Sequence, residues 1–133
     1  MKIHWIKLVV GAIAAEGAAI LLLVCLVAVF GPKEAGEAQV YAEKLGRWVG
    51  PVAGAVLSFL GALWICRRLA RGHLAHGALF GFLLAFIDVA LLLVMRAPFQ
   101  WIFVVSNAGK IIAGVAGGLI AARLWHSNIA SQT

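Results

Sequence analysis

The chain has 133 residues, of which 64% are apolar and 12% charged, and it carries a formal net charge of +6. Soluble domains hold roughly 45–50% apolar residues, and a single small domain has too little interior to hide the surplus, so a water-soluble fold is excluded. The basic residues stand singly or in short runs at the ends of apolar stretches. That pattern argues for topology signals and contacts to anionic lipid and against nucleic acid.

The first apolar stretch runs from Trp5 to Phe30. Lys2 and Lys7 give it the basic start of a secretory signal. However, it is longer than a signal h-region, contains Glu16 and lacks a small-residue cleavage site, so a retained span is expected. Gly31-Pro32 ends it. The polar stretch Lys33 to Arg47 places Tyr41, Leu45 and Trp48 at helical spacing, which predicts a short amphipathic helix, or a solvated loop, on the outer membrane surface. A second span is predicted over Trp48 to Cys66, with Pro51 in its first turn. A third follows Arg71-Gly72, from His76 to Met95, and a fourth follows Pro98, from Trp101 to Trp125. Each is near the ~20 residues that cross the hydrocarbon of a bilayer. Trp5, Trp48, Trp64, Trp101 and Trp125 all fall near predicted span ends, at the headgroup level an indole prefers. The expected fold is all-α: one polytopic domain over residues 1–133, a bundle of four transmembrane helices.

Lys2, Lys7, Arg67, Arg68, Arg71 and Arg123 fall on one side. Lys33, Lys44, Arg47 and Arg96 fall on the other, mixed with Glu34, Glu37 and Glu43. The positive-inside rule then places both termini in the cytoplasm. On this topology Cys25 and Cys66 lie at opposite faces, too far apart for a disulfide.

Lipid supplies little hydrophobic drive between helices, so close packing needs facing stripes of small residues. Gly50, Gly54 and Ser58 form such a stripe on the second span, Gly77, Gly81 and Ala85 on the third, and Gly114 and Gly118 on the fourth. Each repeats every four residues, which keeps it on one helix face.

Three ionisable residues lie deep inside spans. By helical rise, Glu16 is about 16 Å from Trp5, Asp88 about 18 Å from His76 and Lys110 about 14 Å from Trp101, so all three reach the midplane. A charge facing lipid there costs about 2.5–3.5 kcal/mol, and mutual contact is the economical arrangement. Asp88 continues the Gly77/Gly81/Ala85 stripe, and Glu16 is flanked at helical spacing by Ala12 and Ala19. Asn107, three residues before Lys110, puts a further polar group on the same face. Two carboxyls against one ammonium leave a net negative site if all ionise, which predicts one shared or exchangeable proton titrating with the group as a unit. The alternative is a clamp, in which Lys110 and one carboxylate pin the bundle while the other carboxyl stays neutral.

Gly11-Ala12-Ile13-Ala14-Ala15-Glu16 resembles the first span of the small multidrug resistance transporters. That resemblance implies a membrane-embedded Glu16 that binds proton and cationic substrate in turn. The chain departs from that family in its longer first loop and in Asp88 and Lys110, and a fixed Lys beside the Glu would repel a cationic drug. The stretch Arg67-Arg68 through His76-Gly77 and Gly81 resembles small four-span bacterial membrane proteins that have no assigned activity, and this implies a bacterial inner-membrane location.

His4, His73, His76 and His126 all fall on the predicted cytoplasmic side, so a metal site can be drawn from them. No Cys or carboxylate joins the group, and the expectation is wet, unliganded histidines and no cofactor. Arg67, Arg68 and Arg71 are expected to meet lipid phosphates. No nucleophile with a base at useful spacing, no phosphate loop and no redox pair is present, so catalysis is not expected. Two functions remain. The first is a proton-linked transporter or permease built on Glu16, Asp88, Asn107 and Lys110. The other is a non-catalytic accessory, assembly or scaffold protein whose helix faces hold a partner. The partners expected are membrane lipids and either a second copy of the chain or a larger membrane protein.

Overall fold

The computed structural model describes residues 3–130, with side chains described as far as Trp125. The described chain forms four helices: α1 Trp5–Phe30, α2 Ala35–Cys66, α3 His73–Val94 and α4 Trp101–Ala130. Each contains a stretch long and apolar enough to cross a membrane, the last over Trp101–Trp125. With apolar side chains covering the outside of every helix, this is the architecture of a multi-pass membrane protein.

α1 stops where expected. Gly31 donates its N–H to the Val27 carbonyl at 2.7 Å, and Pro32, without an N–H, cannot add the next turn. The following element corrects the sequence reading. The polar segment is neither a separate surface helix nor a loop but the beginning of α2, which runs unbroken for 32 residues. Ala35, Ala38, Ala42, Glu43, Lys44 and Leu45 are strong helix formers. Pro51 lies inside the helix rather than in its first turn. It removes only the bond to the Arg47 carbonyl. At ~1.5 Å per residue α2 is about 48 Å long, more than the ~30 Å hydrocarbon layer, so its first turns stand outside the membrane.

α3 begins at His73, three residues before the predicted start. Gly72 at φ 78° supplies the left-handed turn that brings the chain back from α2. Its far end is a Schellman motif: Ala97 donates to the Leu92 carbonyl and Arg96 to that of Leu93, at 3.0 and 3.1 Å. The left-handed position of this motif, usually glycine, is held by Arg96 at φ 51°.

α4 lies in the cleft between α2 and α3, and α1 covers the opposite side of the same pair; α1 and α4 do not pack on each other. The contact of α3 with α4 is backbone on backbone. A Cβ at Gly114 would sit 2.5 Å from the Gly77 carbonyl oxygen, and one at Gly81 would sit 2.7 Å from that of Lys110. Gly77 and Gly118 are closed in the same way, Gly118 by the His73 carbonyl. Gly117, outside the predicted stripe, meets the Phe59 carbonyl of α2, and Gly61 faces the Phe80 ring. Gly50 departs from its expected role, since a Cβ there would meet nothing within 4 Å.

The reason is the distribution of the core. Leu8, Ala12, Ala62, Ile65, Phe80 and Leu84 form one buried cluster, at the end of the bundle where α1 begins (the near end). Beyond Glu16 in α1, before Gly54 in α2, beyond Ala85 in α3 and before Ser106 in α4, no described residue of these helices is buried. The bundle is therefore closely packed from its near end to the midplane and open from the midplane to its far end.

Candidate functional site: a charge cluster at the floor of the open half

Lys110 stands where packing stops. Its α4 backbone is pressed against Gly81, and its carbonyl accepts a hydrogen bond from Ser58 Oγ at 2.6 Å. Its side chain crosses the bundle over Gly54, where a Cβ would collide with Cε. Because α4 and α1 are not neighbours, the lysine stem bridges them diagonally, and Nζ donates to Glu16 Oε1 at 2.7 Å. Asp88 Oδ2 of α3 lies 3.4 Å from the same Nζ. The three residues expected to meet do meet, and they tie three helices to one ammonium.

The two carboxylates are not equivalent. The Glu16 side chain is 9% exposed, whereas that of Asp88 is 25% exposed and a longer way from the ammonium. Glu16 is thus a short, buried, charge-assisted partner, and Asp88 is the longer, partly exposed one. With all three ionised the cluster carries one net negative charge. Asn107 lies beside it on α4; its Oδ1 is buried without a hydrogen-bond partner among the described residues, and no bond joins it to the three charges. Sequence reasoning missed Ser58 as the hydrogen-bond anchor of Lys110. Ser58 stood on the predicted small-residue stripe, and a hydroxyl among glycines was the only signal.

Two of the four histidines depart from expectation. His73 and His76 are not wet: they are 4% and 1% exposed, drawn into the packed near end as α3 starts early. The Nδ1 of His76 is 2.9 Å from the Gly72 carbonyl. That acceptor requires the proton on Nδ1. Its Nε2 is buried without a partner among the described residues, and the ring of His4 lies 6.1 Å away. Among the described residues no three His, Cys, Asp or Glu side chains are placed to hold a metal; the His126 side chain lies outside them. Arg67, Arg68 and Arg71 are exposed around the α2–α3 turn, and Arg67 rests over the Trp64 ring at 5.2 Å. Cys25 is exposed and Cys66 buried, both as free thiols.

The site and fold together define a four-helix, multi-pass membrane protein with an ion cluster at its middle. The chain matches no family model, and neither a curated protein nor a solved structure is similar to it.

Proposed function

We propose that the chain is a small proton-linked transporter or permease of the bacterial inner membrane, with both termini in the cytoplasm. In this reading Asp88 is the exchangeable carboxyl, and Lys110–Glu16 is the fixed pair that holds it in place. The observation that carries the reading is the asymmetry of the cluster: one carboxylate is locked to Lys110 at 2.7 Å, and the other stands at 3.4 Å with a quarter of its side chain exposed. Intramembrane acids that bind and release protons at the midplane are the usual coupling sites of such proteins.

The test is proton exchange by the purified protein in weakly buffered detergent solution, read as proton release on pH jumps between about pH 5 and 9. The parent is expected to exchange about one proton that Asp88→Asn removes while melting like the parent. Glu16→Gln should instead lower the melting temperature, because it weakens the buried pair. No exchangeable proton in the parent, together with strong destabilisation by both substitutions, would make the cluster a clamp.

That outcome would favour the second reading, an accessory protein completed by a partner. One observation supports it: α1 fully buries only a single stripe, Leu8, Ala12 and Glu16, and leaves most of its remaining residues exposed.

A further inference from the structure

The open half has a mouth with its own chemistry. An open surface depression of about 290 Å³ at the far end is lined by Arg47 and Trp48 of α2 and by Gln100 and Ile102 at the start of α4. A second open depression, of about 390 Å³, runs along α2 alone, over Tyr41, Lys44, Leu45, Arg47 and Trp48. Helical register relates this mouth to the charge cluster. Ile102, Ser106 and Lys110 follow one another at four residues on α4, so Ile102 stands about 12 Å above Lys110. Arg47 precedes Gly54 by seven residues, two turns up the same face of α2, about 10 Å above the notch that carries the lysine stem. Neither ion pair at Lys110 involves Arg47, and no other described residue pairs with it. The guanidinium of Arg47 is therefore unpaired; not even Glu43, one turn away, closes on it.

An unpaired guanidinium, an indole, a side-chain amide and an aliphatic wall form a set that recognises a carboxylate bearing an apolar body. The fork binds two oxygens at once, and the ring and Ile102 cover the remainder. The floor of the open half adds the coupling. A fully ionised cluster, net negative by one, repels an entering anion. When Asp88 takes up a proton the cluster becomes neutral, and the Lys110 ammonium is shared with one carboxylate instead of two. Anion and proton then favour each other's binding, by the same factor in each direction.

We propose that the mouth at Arg47 and Trp48 is the entry site for a small organic carboxylate, taken up together with the proton of Asp88. The coupling in this statement rests on the proton-linked reading above, whereas the anion site itself does not.

The experiment uses the full chain in detergent with benzoate as probe, binding followed by calorimetry and proton uptake by a pH indicator. Benzoate should bind the parent with uptake of one proton. Arg47→Gln, at an exposed position that leaves the melting temperature unchanged, should weaken binding roughly tenfold or more, the loss of a charge-assisted pair. Arg47→Lys should fall between. Asp88→Asn should still bind benzoate, but without proton uptake and with a pH-independent affinity. Benzoate binding that ignores Arg47, or no binding by a parent that still exchanges its proton, overturns the anion site and leaves the proton-linked reading standing. Arg47-dependent binding without any proton movement upholds the site and overturns the coupling. The same sensitivity to Arg47 seen for phosphatidylglycerol in mixed micelles, with benzoate unable to compete, would assign the mouth to a lipid headgroup and overturn the proposal.

Discussion

At the scale of single residues, Arg96 shows most plainly how this chain departs from local preference. The C-terminal motif of α3 needs a left-handed residue, and Arg96 fills it at φ 51° although its Cβ is strained there. Arg96→Gly should therefore stabilise the protein by about 1 kcal/mol, seen as a higher melting temperature in detergent; no gain would mean that the arginine side chain offsets the strain through contacts of its own. Lys110 is the opposite case, a residue whose local sequence does not mark its reach. Its position at the midplane is countable from Trp101. That its stem lies over Gly54 and meets Glu16 before Asp88 depends on which helices flank α4. Ser58 and the buried His76 were likewise undecidable locally, since a lone hydroxyl or imidazole on a helix reads the same whether it faces lipid, water or a neighbour.

Among the elements, the glycines separate into two kinds that the four-residue spacing alone does not distinguish. Gly77, Gly81, Gly114 and Gly118 let α3 and α4 touch backbone to backbone, and a methyl group at any of them collides with main chain that cannot yield. Gly50 lies in the open half and touches nothing. Gly114→Ala should lower the melting temperature by several degrees. Gly50→Ala should raise it slightly, because alanine is the better helix former by roughly 1 kcal/mol. Equal effects in a side-by-side thermal melt would contradict the packing described. α2 carries a similar lesson. Proline and the drop in hydropathy at Arg47 invited a boundary near Trp48, yet helix propensity in the polar segment and continuous backbone bonding carried one helix through both.

For the whole molecule, the division into a packed near half and an open far half has a consequence in the two native thiols. Cys66 is fully buried and donates to the His73 carbonyl at 3.3 Å, whereas Cys25 is exposed. In detergent, a membrane-permeable maleimide should modify Cys25 in the folded protein before it modifies Cys66. Cys66 should react only as the bundle melts, so its labelling should track the thermal transition; rapid modification of both at room temperature would mean that the near half is not closed. Glu16 and Lys110 lie on the last packed layer, and Asp88 stands just above it.

The sequence by itself determined the fold class, the number of spans and the common level of the three charges along them. These follow from hydropathy, chain geometry and the cost of charge in lipid, which act on each segment separately. Only the tertiary structure decided which glycines meet a neighbour, that α1 and α4 face each other diagonally with Lys110 between them, and that Glu16 is locked while Asp88 is not. It also decided that His73 and His76 are buried. Those outcomes depend on how helices of nearly uniform apolarity choose their neighbours. In a membrane that choice rests on shape and a few polar contacts between segments distant in the chain, for which one-dimensional periodicity carries no signal.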